Sequence, residues 1–351
     1  MVDEKKDVQV ELIKNNKENK NFELSDALKL ITPGTSLRTA IEGVKKAKTG
    51  GLIVVYNDKL ENLFEGGFKI NSKFTPQRII ELGKMDGAII LSKDLKKILY
   101  ANVLLTPNNS LPSNETGTRH KAAERIAKQT GTVVVCISQR RDEISLFYGN
   151  LKYIIRETDE IIRRASSILQ IIEKHREIFD KNLNELNSEE IKKKPRIIKA
   201  LYLIQRGMIL IKVSNTLKDY LIELGNEGII VKSRLRELLY SVEEQLNLTL
   251  KDYSKIGFLK SYKILSLLSY DDLLNLDNIK ECLGISEDFC LSRGFRILTN
   301  NNLAEENISI LVSNFKNLQT ILDLKKENLT PLFGEEKTDI ILDKISHIKT
   351  T

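Results

Sequence analysis

Three cysteines in 351 residues are too few and too scattered to build a site. Cys136 stands alone and Cys282 and Cys290 are eight positions apart, so neither the paired spacing of a zinc site nor an even set for a disulfide framework is present. Only three histidines, His120, His175 and His347, occur, which argues against a metal centre built on imidazole. A metal here is expected to be a hard cation held by carboxylates and by a substrate's phosphate oxygens. No stretch approaches the ~18 continuous apolar residues of a membrane span. The opening MVDEKKDVQVELIKNNKENKNFE is charged rather than apolar, so the chain reads as cytoplasmic, with neither signal peptide nor anchor. The two commonest phosphate motifs, G-x-G-x-x-G and G-x-x-x-x-G-K-[ST], are also missing. Any phosphate must be held by other means.

The 41% hydrophobic and 29% charged content is that of an ordinary soluble globular chain, long enough for two or three domains. A net charge of +7 suggests a polyanionic partner, but its placement matters more than its sum. Lys and Arg outnumber Asp and Glu by 24 to 18 over residues 1–149 and by 23 to 20 over 150–286, and fall short by 8 to 10 over 287–351. The basic excess is mostly N-terminal.

From about Gly50 to Gly149, short β-rich runs bounded by Gly, Asn, Asp or Pro follow one another: GGLIVVYND, GAIILS, KKILYANVLL, TVVVCIS and ISLFYG. A helix is expected between the third and fourth, closed by Gly131, and an earlier one across TSLRTAIEGVKKAKTG. The mixture predicts an α/β domain with a central mixed sheet over residues 1–149. After Asn150 the texture turns helical. Ile161, Ala165, Ile168, Leu169, Ile172, Phe179 and Leu183 follow the three-and-four spacing of one helix face, and similar spacing runs from Ile197 to Leu224, ending at Gly225, and from Leu235 to Leu248. Residues 150–286 therefore read as a helical spine, with Lys192–Lys194 a solvated face, and residues 287–351 as a third segment of short helices.

Two stretches can carry chemistry. In NETGTRHKAAERIAKQ, Gly117 permits close backbone approach, Thr118 can cap the helix, and the N–H groups of the first turn point partial positive charge outward. Arg119, His120 and Lys121 fan out around that mouth by roughly 100° per residue. The plainer alternative is a Thr cap followed by polar surface residues. In KMDGAIILS, Asp86 and Gly87 place a carboxylate at a tight turn on a sheet end, where it can bind a divalent cation and help deprotonate a hydroxyl; Asp-Gly is also a routine turn.

Taken together, Asp86–Ala88 and Gly117–Glu124 resemble the signature of the diadenylate cyclases. PGTSLR, TGGLIVVYND, GGFKIN, KILYAN, AERIAKQTG and SQRRD add to the likeness, which is dense over residues 25–150 and continues more thinly as LIELGNEG, KDY and LSRGFRIL, as in the DNA integrity scanning branch of that family. The resemblance implies an enzyme that joins two ATP molecules into cyclic di-AMP using Mg²⁺ or Mn²⁺. It implies that Asp86 assists the ribose 3′-hydroxyl through the metal, that Arg119 and His120 hold phosphates, that Thr118 and Ser138 bind phosphate oxygens, and that Gly83, Gly87 and Leu105 line the adenosine pocket. Lys121 stands where the family usually has Arg, keeping the charge but losing the bidentate fork; Ala122 stands where relatives often carry Thr. A product with two-fold symmetry requires two protomers face to face, and the family picture is an octamer.

For residues 287–351 the resemblance implies a helix-hairpin-helix domain that binds branched or damaged DNA, with Gly334 and Lys337 at the hairpin as candidate contacts; Arg293 and Arg296 in SRGFR are the basic residues to test for DNA contact, an interface role being the alternative for them. The hairpin is degenerate: Leu332-Phe333-Gly334 lacks the first glycine of the turn, and Glu335 and Glu336 follow at once. Two other readings of the chain stay open, a weakly catalytic nucleotide sensor and a DNA-binding scaffold built on the spine.

Overall fold

The structure, a computed structural model, describes residues 24–192, 196–286 and 290–350. The charged opening, Lys193, Lys194 and the segment just after the 286/287 boundary lie outside the described residues. By packing, the chain forms two units, one made by the chain up to Arg163 with Tyr220–Ile229, the other by Arg164–Asp219 with Ile230 onward. The expected spine segment 150–286 thus contributes to both.

The first unit is built on an eight-stranded mixed sheet. In chain order it contains α1 (Leu24–Leu30), α2 (Ser36–Lys46), β1 (Gly51–Val55), β2 (Phe64–Glu65), β3 (Phe68–Lys73), α3 (Pro76–Leu82), β4 (Ala88–Leu91), β5 (Lys97–Leu105), α4 (Thr118–Thr130), β6 (Val133–Ser138), β7 (Glu143–Tyr148) and β8 (Leu151–Ile155). The strand order is β2-β5-β4-β1-β6-β7-β8, with β3 also on β5; β1 and β4 are parallel and every other pairing is antiparallel. The five expected strands are β1, β4, β5, β6 and β7. The additional strands β2 and β3 carry exposed residues and no apolar run, and β8, LKYII, is short and mostly exposed, which is why pattern alone passes over them.

The central strands read as continuous apolar runs because both faces are covered. Ile53, Val55, Ile89, Leu91, Val135 and Ile137 face one core, shared with Ala40, Ile41 and Val44 of α2 and Ile79 of α3. Leu52, Val54, Ala88, Ile90, Val134 and Cys136 face the other, covered by Ala123, Ile126 and Ala127 of α4. Thr35 caps α2 by accepting from the Arg38 N–H at 3.2 Å, and Thr75 with Pro76 opens α3.

The second unit is helical. α5 (Thr158–Ile191) begins in the first unit and continues here, burying Ala165, Ile172, Phe179 and Leu186 at seven-residue intervals. α6 (Ile197–Leu224), whose residues from Tyr220 on belong to the first unit, runs to Gly225 as its spacing predicts. The pattern from Leu235 to Leu248 does not form one helix. It is split into α7 (Ile229–Leu239) and α8 (Val242–Tyr253) by Ser241, whose φ of 59° is left-handed. Buried Leu235, Leu238, Val242 and Leu246 keep three-and-four spacing across the break, so periodicity cannot register it. α9 (Phe258–Leu267), α10 (Tyr270–Leu274), α11 (Leu276–Cys282), α12 (Phe295–Asn300), α13 (Glu305–Phe315), α14 (Leu318–Leu322), α15 (Lys326–Phe333) and α16 (Glu335–Thr350) complete it. The last five share a core that includes Leu298, Leu311, Ile321, Leu329 and Ile345.

Near the start of α12 lies a buried ionic cluster. Arg296, 0% exposed, donates to Glu190, also 0% exposed, at 2.8 Å, and to Asn187, while Tyr253 donates to the other Glu190 oxygen at 2.6 Å. Asp252 accepts from the backbone N–H groups of Gly294, Phe295 and Arg296 at 2.8, 2.7 and 3.1 Å, capping α12 from α8. Burial, reinforced by the Glu190 carboxylate, pushes the Asp252 carboxyl up to about 7 against the pull of Arg296 and those N–H groups. Arg296 therefore cannot contact DNA in this fold; its side chain is wholly buried and its terminal nitrogens are taken by Glu190 and Asn187. Arg293 is exposed, though one of its terminal nitrogens donates to the Ser254 carbonyl at 3.0 Å. Gly334 has a φ of 75° and joins α15 to α16 as a single-residue turn, with Lys337 exposed beside it and Glu335 and Glu336 in the first turn of α16.

Candidate active site

The sheet register decides which residues meet. Parallel pairing sets Leu52 beside Ala88, so Gly50–Gly51 and Asp86–Gly87 lie at one edge. Antiparallel pairing brings the far ends of β5 and β6 to that edge, with Val103 opposite Ala88 and Ile137 opposite Gly51. Because α4 runs back antiparallel to β6, which it precedes, its first turn arrives there too. Asp86 thus sits at the amino end of β4, the reverse of the usual ligand position in open parallel sheets, and the carboxyl ends at this edge belong to β5 and β6. Gly87 and Ile137 are two strands apart, roughly 10 Å across the sheet.

The turn that carries Asp86 is fixed by its glycines. Gly83 closes α3, donating to the Ile79 carbonyl at 2.8 Å, and a Cβ there would meet Val44 at 3.1 Å. Gly87 has a φ of 87°, and a Cβ on it would come within 2.8 Å of the Asn102 and Val103 backbone. Asp86 itself is exposed. Leu105 is buried in the α4-side core and pairs with Phe64.

At the mouth of α4 a cleft of about 530 Å³ is lined by, among others, Thr116, Thr118, Arg119, His120, Ser138 and Arg141. Thr118 does not cap the helix. Gly117 occupies the cap position with no side-chain bond, and Thr118 is the first helical residue, so its hydroxyl is not committed to the helix end. Arg119 lies against Gly50: a Cβ at residue 50, whose φ is 70°, would stand 2.5 Å from Nη1 of Arg119. His120 Nε2 is buried with no hydrogen-bond partner. Burial lowers the His120 pKa below its ordinary value, with Glu115 opposing and Arg141 and Lys152 adding to the effect, so the imidazole is neutral at pH 7. Ser138 accepts from the Arg141 N–H at 3.2 Å, which leaves its own O–H to donate elsewhere.

The cluster expected from sequence is thereby divided. Thr118, Arg119, His120 and Ser138 share the cleft; Asp86, Gly87 and Leu105 stand at the same sheet edge but outside its lining. Lys121, a further ~100° round the helix, is also outside the lining, and Ala122 packs against the α4-side core. The rest of α4 is spent on structure. Arg125 donates to the Leu111 carbonyl and Asn109, and Lys128 to the Pro112 carbonyl and Glu124, lacing the preceding loop to the helix.

Sequence reasoning passed over Gly50, Glu115, Gln139, Arg140 and Arg141. The Arg-Arg pair next to Ser138 was legible as charge beside the site. Gly50 was visible only as half of a double glycine before a strand, and nothing in NETG signals that Glu115 is buried.

The Cys136 thiol next along β6 is buried in the α4-side core rather than in the cleft, and burial pushes it up to about 12, which keeps it protonated.

Residues 38–151 match the family described as DisA bacterial checkpoint controller nucleotide-binding, and residues 155–290 the DisA bacterial checkpoint controller linker region. A protein of Acetivibrio thermocellus named DNA integrity scanning protein DisA is 43% identical over 343 residues, covering 94% of this chain and 95% of that protein. Namesakes from Clostridium botulinum and Clostridium tetani are 40% and 37% identical, covering 90% and 94% of this chain and 92% and 95% of theirs. Likeness of that extent, running through the stretch that forms the cleft and on through the helical segment, makes this chain a member of the DisA family.

Proposed function

We propose that the chain condenses two ATP molecules into cyclic di-AMP with release of two pyrophosphates. The observation that carries this reading is the gathering, at one sheet edge, of the Asp86–Gly87 turn with a helix mouth bearing Arg119 and the buried, unpartnered Nε2 of His120. In each half of the reaction a ribose 3′-hydroxyl attacks the α-phosphate of the other nucleotide. A P–O bond forms, the bond to pyrophosphate breaks, and the hydroxyl proton is released. Attack in line requires that the triphosphate be held and its charge met before the chemistry starts. Arg119 supplies a planar pair of N–H donors to phosphate oxygens, the first-turn N–H groups of α4 have no intrahelical partner, and the Thr118 and Ser138 hydroxyls donate to the same group. His120 presents its buried, unpartnered Nε2 to the ligand. Lys121 adds long-range charge, Gly83, Gly87 and Leu105 wall the adenosine, and Asp86 faces the hydroxyl that loses its proton.

Among the described residues no group of three or more His, Cys, Asp or Glu side chains gathers into a metal cage. One exposed carboxylate, Asp86, fits an Mg²⁺ or Mn²⁺ ion that arrives with ATP and takes its remaining ligands from phosphate oxygens and water. When bound, such an ion neutralises phosphate charge and acidifies an attached hydroxyl. The two-fold product asks for two protomers facing each other, each holding one ATP, within a homo-octamer. Contact with branched or damaged DNA belongs to the same proposal, confined to the exposed Arg293, Gly334 and Lys337. No described helix is long and apolar enough to cross a membrane.

The test is to incubate the full chain with ATP and Mn²⁺ or Mg²⁺ and separate the products by chromatography. Cyclic di-AMP is expected. ATP that binds and is recovered unchanged would replace the cyclase reading with the sensor. Arg119→Ala is expected to weaken ATP binding by roughly 10–100-fold, the worth of charged hydrogen bonds; an unaltered affinity in a calorimetric titration takes Arg119 out of the phosphate site.

A further inference from the structure

A carboxylate beside a phosphate cleft works against its own site, since it repels the ligand the cleft collects. Glu115 is such a group, and among the described residues of the first unit it is the one buried acid. Its place is fixed from below: the Glu115 N–H donates to Ser113 Oγ at 3.2 Å, and Ser113 donates to Glu124 of α4 at 2.5 Å. One carboxylate oxygen takes Lys152 Nζ of β8 at 2.6 Å, and the other lies 3.9 Å from Nη1 of Arg141. Arg141 is gripped again by the next residue in the chain, since its Nη2 donates to Thr116 Oγ1 at 3.2 Å. Its backbone N–H is tied to Ser138.

We propose that Glu115 is a positioning residue for triphosphate binding, holding the Arg141 guanidinium at the wall of the cleft; this rests on the ATP reading above. Arg141 comes from the hairpin between β6 and β7 and its side chain is 49% exposed. Left alone, a side chain of that length samples many rotamers, and the ligand must bear the entropy of ordering it. Held between Glu115 and Thr116, it is ordered beforehand with one face open. Lys152 makes this arrangement electrostatically tolerable, because two cations around one carboxylate leave a net positive charge beside the cleft. The buried acid thus orders a cation without cancelling it.

The experiment is a double-variant cycle on the full chain, read as the ATP dissociation constant and as KM and kcat for ATP. Glu115→Gln keeps the shape and removes the charge. It is expected to raise the dissociation constant and KM by about five- to tenfold with kcat changed less than twofold. Arg141→Gln is expected to raise them at least as much, and adding Glu115→Gln to it to change them less than twofold further. Thr116→Val, which frees the other end of Arg141, gives a second reading should Glu115→Gln not fold: a two- to fourfold rise that disappears in the Arg141→Gln background. Equal effects of Glu115→Gln, or of Thr116→Val, with and without Arg141 would overturn the positioning role, as would a loss confined to kcat. Wild-type protein that binds no ATP defeats the underlying reading instead, and the two failures are told apart by that first titration.

Discussion

Asp86→Asn is expected to lower the yield of cyclic di-AMP by roughly 10²–10⁴-fold, the range for loss of a proton-handling group, while ATP still binds within about threefold of wild type. The change is nearly isosteric, and Asp86 is exposed, so no core contact is lost. Asn is as much at home in a tight turn as Asp. The left-handed Gly87 that shapes the turn is untouched. What disappears is the negative charge that draws a divalent cation and favours departure of the hydroxyl proton. Chromatography of the reaction beside a binding titration reads the two quantities separately. Full yield from the Asn variant would remove Asp86 from the mechanism, and loss of ATP binding in step with yield would recast it as a binding residue only.

The second large effect is on stability. Arg296→Ala is expected to destabilise the helical unit by about 3–5 kcal/mol, because it leaves Glu190 and Asp252 buried without their counter-charge. Against the ~5–15 kcal/mol that holds a typical domain together, that loss populates unfolded chain at ordinary temperature. Removing both charges behaves differently. Arg296→Met combined with Glu190→Met is expected to recover the part of the loss that comes from Glu190, while Asp252, the Tyr253 hydroxyl and Asn187 still lack the partners they had. Urea denaturation followed by circular dichroism measures both variants. A midpoint unchanged in Arg296→Ala would mean that water or a shifted side chain compensates the carboxylates. If the alanine variant loses DNA binding, the cause is this unfolding and identifies no contact.

The first unit was legible in sequence to the extent that burial follows apolar pattern. β1, β4 and β6 are buried on both faces and appear as unbroken apolar runs, whereas β3, with its exposed FKINSK, depends on a neighbour for its shape and was missed. The end of α6 at Gly225 was readable because glycine there adopts the left-handed conformation with a φ of 53°. The break at Ser241 was not, because serine carries no such signal and the apolar spacing runs through it. Arg119 and His120 announced themselves by residue type near a helix start, whereas Ser138 entered only through the family resemblance. Their division from Asp86 is a matter of strand register, which no local pattern contains. Arg296 was misjudged for a related reason: arginine in a loop reads as surface until its partner, Glu190, more than 100 positions away, is known.

Gly50 gives the site a boundary condition of an unusual kind. Its contribution is empty space, the volume a side chain would take being filled by the end of Arg119. A library that preserved every polar residue of the cleft and randomised the rest would still press on Arg119 and strain the left-handed backbone at this position. Tolerance to substitution around the cleft is therefore set by what must stay vacant as well as by what must be charged.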